Sequence, residues 1–235
     1  MKAFVLNLKR RKDRKEQIKA QLPEYFETYF TSDWEGPMDG RCLTTEMLEE
    51  HGFSLFRWEL KSENRWWNRP INRGEIGCSV SHWLCWKKAS TFDDPYYVFL
   101  EDDVYLYPTF SGDLPGIVSR LTLLDEAWDL LLLGRCPQET NEHRIGEFIK
   151  PGFSYGTHAY MLSRHGVDKV LATGFSKDLI PADEFLPAMY VDHPRADVRN
   201  RYQKRLRAYS VDPLICSVEH KLGSDIMDSG ALAAS

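Results

Sequence analysis

The stretch that decides the fold is "YYVFLEDDV", Tyr96 to Val104, an apolar run that ends in three adjacent carboxylates, Glu101, Asp102 and Asp103. A short apolar run bounded by turn residues reads as a buried strand, and unpaired buried carboxylates are costly, so this acidic tip calls for a partner. In open α/β sheets ligands gather outside the carboxyl ends of the strands, which is where "LEDD" falls. If the strand continues through the tip, Glu101 and Asp103 point the same way, since side chains alternate. Such hard oxygen ligands suit Mg²⁺ or Mn²⁺. A solvated turn capped by Asp103 accounts for the same residues, and the spacing alone leaves both readings open.

Working outward, Ala3 to Leu8 and Trp128 to Leu133 read as further buried strands, and Tyr25 to Thr31 and His158 to Leu162 as strands too. Helices are expected over Lys12 to Leu22, Leu43 to His51, from Gly74 onward, around Gly116 to Leu124, after a cap at Ser163, and after Pro181. On the helix from Gly74, Ile76, Val80, Trp83 and Leu84 form one apolar stripe. Trp58 to Asn72 has no period and reads as an aromatic-rich loop. Strands alternating with helices predict a single α/β domain, residues 1–228, around a mainly parallel twisted sheet, with 229–235 as a tail.

The 235 residues carry a formal net charge of −5 and 43% hydrophobic side chains. That balance argues against nucleic acid or an anionic membrane as partner, and no apolar run has the roughly 20 residues of a transmembrane segment. "MKAFVLNLKRRKDRK" places its apolar residues before its charges, unlike a secretory signal. Five dispersed cysteines without a CxxC pair read as reduced, buried thiols, and a cytoplasmic chain of bacterial or viral origin is expected.

Several stretches together resemble glycosyltransferase family 25: "NRGEIGCSVSHWLCWKKA", "YYVFLEDDV", "WDLLLLGR", "YGTHAYMLSRHGVDKVL", "LIPADEFLPAMY" and "RLRAYSVDPLI". They stand in the family's order over nearly the whole chain. "PADEFLPAMYVDHP" is similar to the procollagen-galactosyltransferase branch, beside the lipopolysaccharide branch. The resemblance implies a GT-A-like fold and inverting transfer of a hexose, galactose foremost, from UDP-galactose or UDP-glucose. The acceptor hydroxyl would belong to hydroxylysine of a collagen-like protein or to a lipopolysaccharide glycan. It implies Mn²⁺ (or Mg²⁺) on Glu101, Asp103 and His220, with Asp102 at the donor diphosphate. It also implies donor contacts from Asn7, Arg14, Gly74, Glu75, Ser81, His82 and Arg135.

Such a transfer needs a base for the acceptor hydroxyl. Asp183 is the first choice and Glu184 the second, because they open a helix whose N–H groups can keep a carboxylate ionised, although a plain cap reads the same way. Trp66 and Trp67 can stack on an acceptor sugar or fold back on the core. Arg11, Arg14 and Arg73 can meet a diphosphate or form a charged helix face, and the arginines from Arg195 to Arg207 read mostly as a solvated face. Two rivals remain. "GFSYG" matches a hydrolase nucleophile elbow at Ser154, with Asp183 and His193 or His220 following in order. The third reading is a non-catalytic sugar-nucleotide-binding protein.

Overall fold

In the computed structural model, residues 1–139 and 143–219, together with Gly223 and Asp225, are described. His220 and the segment 229–235 lie outside the described residues. The order of elements begins β1 (Lys2–Leu6), α1 (Lys12–Lys19), β2 (Glu27–Phe30), α2 (Thr45–Glu50), α3 (Arg73–Ala89) and β3 (Tyr96–Glu101). It continues with β4 (Val104–Leu106), α4 (Phe110–Leu124), β5 (Leu130–Leu132), β6 (Cys136–Pro137), β7 (His143–Ile145), β8 (Phe148–Lys150) and β9 (Ser154–Tyr155). It closes with β10 (Ala159–Ser163), α5 (Arg164–Leu171), α6 (Ala182–Ala188), α7 (Ala196–Arg201), β11 (Ala208–Val211) and β12 (Cys216–Val218).

Eight strands form one sheet in the order β2-β1-β3-β10-β5-β11-β8-β7. The strands alternate their side chains between two cores, as a pleat requires. Phe4, Tyr97, Phe99, Leu130, Leu132, Tyr160 and Leu162 face one, while Ala3, Val5, Val98, Leu100, Leu131, Ala159 and Met161 face the other. Helix α3 covers the first face with Ile76, Val80 and Trp86, and α5 to α7 add Val167, Phe185 and Val198. Helix α4 covers the second with Leu114, Val118 and Leu121, joined by Ile18 of α1. Burial on both faces explains why these strands read as continuous apolar runs.

The α/β class and the single large sheet agree with the sequence. The pairing is mixed rather than mainly parallel: β2, β1 and β3 run parallel, as do β5 and β11, but β10 is antiparallel to both its neighbours. β8 and β7 complete an antiparallel edge, turned by Gly146 at φ +64°. Helix α4 starts at Phe110, ahead of the expected Gly116, because Phe110, Leu114, Ile117 and Val118 continue its buried stripe past Pro115. No helix among the described residues is long and apolar enough to cross a membrane. The five cysteines are unpaired, and Cys42 and Cys136 are exposed rather than buried.

Candidate active site

The strand does not run through the acidic tip. β3 ends at Glu101, Asp102 and Asp103 form a turn, and β4 resumes at Val104. The expectation that Glu101 and Asp103 share a strand face is therefore corrected. The three carboxylates have separate surroundings.

Asp102 points inward and is paired. β1 and β3 are parallel with Leu6 opposite Glu101, which brings Asn7 and Asp102 together one residue later. Asn7 Nδ2 donates to Asp102 Oδ2 at 2.7 Å, and an Arg14 guanidinium nitrogen donates to Asp102 Oδ1 at 2.8 Å. All three residues are at most 6% exposed. Burial raises the Asp102 carboxyl above its usual range, and the Arg14 contact opposes the shift. Arg14 thus leaves the solvated helix face expected of "KRRKDRK" and anchors the tip, also reaching Asp103 Oδ2 at 3.3 Å. Arg10 and Arg11 both pair with Asp225, at 2.7 and 2.5 Å.

Asp103 is pushed up to about 6, first by burial and then by the charge of Glu101. Glu101 is raised too, by burial, while the Thr157 hydroxyl that donates to its Oε1 at 2.8 Å counters the shift. The Glu101 charge helps raise Asp103 and the Asp102 charge helps raise Glu101, and oxygen donors gathered in this way suit a hard divalent ion.

Asp183 stands across from them on α6. Its Oδ1 accepts from the N–H groups of Gly156 and Thr157 at 3.1 and 2.9 Å and lies 3.1 Å from the Thr157 hydroxyl oxygen, whose single proton goes to Glu101. Those donors come from the turn between β9 and β10 rather than from the start of its own helix, as the sequence suggested. Gly156 adopts φ +93°, a conformation open to glycine that presents both N–H groups. Antiparallel pairing of β10 with β3 sets Thr157 between Glu101 and Asp183. Burial, then the Glu101 charge, pushes Asp183 up to about 6, so it is mostly ionised at pH 7.

Glu184, the alternative base, is engaged elsewhere. Its Oε2 lies 2.8 Å from His193 Nε2, and its Oε1 accepts from Trp67 Nε1 at 3.2 Å. The Arg195 N–H donates to His193 Nδ1, which places the imidazole proton on Nε2, facing Glu184. Trp67 is thereby folded back onto the core, while Trp66 lines a cavity.

Two cavities meet here. One, of about 80 Å³, is walled by Asn7, Arg14, Gly74, Ser81, Asp103 and Asp225 among others. The second, of about 310 Å³, is walled by Trp58, Trp66, Glu75, Tyr155, Thr157 and Asp183, with Glu184 at its edge. Glu101 and Cys78 border both. Glu75 closes a capping box with Asn72 and is held by both Arg69 guanidinium nitrogens. His82 lies beneath, fully buried, its Nδ1 2.9 Å from the Tyr160 hydroxyl; burial lowers its pKa to about 4, which keeps it neutral. Arg135 borders neither cavity; its guanidinium donates to the Ser154 and Ser210 hydroxyls, 2.9 Å away in each case. Ser154 sits inside β9, 4% exposed, accepting from Arg135 and donating to the Gly152 carbonyl. A strand and an arginine contact replace the elbow and histidine a hydrolase needs, which overturns that reading.

Thr157, Cys78, Tyr155 and Asp225 escaped the sequence reading. Thr157 and Tyr155 were within reach, as they open "YGTHAYMLS", a stretch that carries the family resemblance.

The profile of glycosyltransferase family 25, described as an LPS biosynthesis protein, matches residues 1–186. Over 94% of this chain, procollagen galactosyltransferase 2 of Homo sapiens is 29% identical, and the match covers 35% of its length. Procollagen galactosyltransferase 1-B of Xenopus laevis is 31% identical over 94% of the chain and 36% of its own length. Inactive glycosyltransferase 25 family member 3 of Homo sapiens is 30% identical over 94% and 37%. The chain therefore spans little more than a third of these relatives.

Proposed function

The chain belongs to glycosyltransferase family 25, and on that premise we propose that it moves a hexose, galactose foremost, from a UDP-sugar to an acceptor hydroxyl with inversion. One observation carries this reading. The two cavities meet at Glu101, with Asp103 on one side and the ionised Asp183 on the other. That layout separates a donor compartment from an acceptor compartment, with a base in the second.

Glu101 and Asp103 would hold Mn²⁺ or Mg²⁺, whose part is to neutralise charge on the departing diphosphate. Asn7 and Arg14 fix the Asp102 turn so that Asp103 faces the cavity, a positioning role in place of the direct diphosphate contact implied for them. Asp183 accepts the proton of the attacking hydroxyl. All its hydrogen bonds from described residues fall on Oδ1, which leaves Oδ2 for the acceptor. A base with pKa about 6 works close to its best at neutral pH. Glu184 and His193 brace Trp67 and the α6 segment.

The acceptor compartment favours a cationic group. Glu101 and Asp183 give this cavity negative charge and Tyr155 adds an aromatic face, a pairing that suits an ammonium, while Trp58 already carries Arg195 and Trp66 carries Arg65 and Arg69. That fits the amine and hydroxyl of hydroxylysine better than a lipopolysaccharide sugar. The test is a screen of UDP-galactose and UDP-glucose with Mn²⁺ against a hydroxylysine peptide and against glycan acceptors, read by mass spectrometry. A peptide heavier by one hexose is the expected product. UDP release without a heavier acceptor would mean transfer of the hexose to water, and no turnover with donor still bound would reduce the chain to a binder.

A further inference from the structure

Beneath the junction of the two cavities lies a donor set of another kind. Cys78 and His82 are four residues apart on α3, so their side chains share one face of the helix. Cys78 Sγ, His82 Nε2 and a Glu101 carboxylate oxygen all lie within 4.8 Å of one another. His82 Nε2 is fully buried and has no hydrogen-bond partner among the described residues. It aims at Glu101 Oε1, 3.5 Å off. Two ligands of one tetrahedral zinc ion stand roughly 3.4 Å apart, from bonds of about 2.0–2.2 Å.

We propose that Cys78, His82 and Glu101 form a binding site for Zn²⁺, distinct in chemistry from the hard-cation site at Glu101 and Asp103. The donors are a thiolate, an imidazole and one carboxylate, the set zinc prefers and Mn²⁺ does not. The Tyr160 hydroxyl at Nδ1 orients the ring from behind, and Trp86 Nε1 fixes that hydroxyl in turn at 2.9 Å. Cys78 borders both cavities, so the ion has an entry path and an open fourth position for water. Binding forms the sulfur–zinc bond as the thiol proton leaves to solvent. The ion takes a Glu101 oxygen that the hard cation would use. Zinc is therefore expected to oppose Mn²⁺ at the junction.

The test reads binding directly, without donor or acceptor, so its failure leaves the transferase reading untouched. Co²⁺ added to the chain should give a thiolate-to-cobalt charge-transfer band. One equivalent of Zn²⁺ should abolish it, while tenfold excess Mn²⁺ should not. Cys78→Ser should remove the band and weaken Zn²⁺ binding at least tenfold. A Cys42→Ser/Cys136→Ser double variant, which removes the exposed thiols, should keep both. Because His82 is fully buried, His82→Gln is informative only where circular dichroism shows the native fold, and there it should weaken zinc like Cys78→Ser. Absence of the band in the unaltered chain, or a band that survives in Cys78→Ser, would overturn the proposal.

Discussion

At the scale of single residues, the acidic tip divides its labour in a way its spelling conceals. Asp102 and Asp103 are adjacent and chemically alike, yet one is a buried carboxylate paired with Arg14 at 2.8 Å and the other a half-buried one that shares that guanidinium at 3.3 Å and is still pushed up by burial. Their asparagine variants should therefore differ in sign. Asp102→Asn removes the nearest carboxylate of the buried Arg14 and leaves its charge to Asp103 at 3.3 Å and Asp225 at 3.7 Å, a loss of about 1–3 kcal/mol. In Asp103 the carboxyl is raised from 3.8 to about 6, so the folded state holds the proton more tightly than the unfolded one. Its protonation favours folding below pH 4, and that stability is lost as pH rises through about 6. Asp103→Asn should then stabilise the metal-free chain at pH 7 by about 1–3 kcal/mol, with the gain vanishing near pH 4. Urea unfolding at both pH values checks this pair. Equal destabilisation by the two variants would contradict the assignment. None of this was legible in three consecutive acidic letters, because the difference arises from Asn7 and Arg14, nearly a hundred residues away in sequence.

At the scale of elements, local pattern carried far. The buried strands around Val5, Phe99, Leu131 and Tyr160 stand where periodicity places them, and Ser163 caps α5 by accepting from the Gly166 N–H. On α3, Ile76 and Val80 are buried as expected, but Trp83 and Leu84 are half-buried and Cys85 and Trp86 enter the core in their place. What period could not show was direction. β10 reads like its neighbours but runs antiparallel, and that reversal delivers Thr157 to Glu101 and Asp183. The closeness of α3 to the loop between β2 and α2 was hidden too. A Cβ on Gly77 would stand 2.1 Å from the Met38 carbonyl oxygen, so the "GEIG" glycine lets that loop lie against the helix that carries Cys78 and Ser81. Gly77→Ala should push the loop away at a cost of about 1–3 kcal/mol and deform the smaller cavity. Thermal unfolding measures the cost. An unchanged midpoint would show that the loop yields freely.

At the scale of the whole molecule, the sheet is buried on both faces, and its chemistry concentrates where the ends of β1 and β3 meet the turn before β10 and the start of α6. Four segments distant in sequence meet there, which is why Asp183 and Glu184 read alike in sequence yet have different surroundings in three dimensions. His193 and Trp67 occupy Glu184, while the Gly156 and Thr157 N–H groups hold Asp183 ionised with one oxygen open. The family's composition, with members named both galactosyltransferases and inactive, makes that open carboxylate the centre of the account. The most direct measurement is the transfer rate from UDP-galactose to a hydroxylysine peptide by the unaltered chain and by Asp183→Asn, with donor affinity measured alongside. With Asp183 as the base, the rate in the variant is about 10² to 10⁴ lower while UDP-galactose binds as tightly as before. Transfer by Asp183→Asn at the unaltered rate would contradict it.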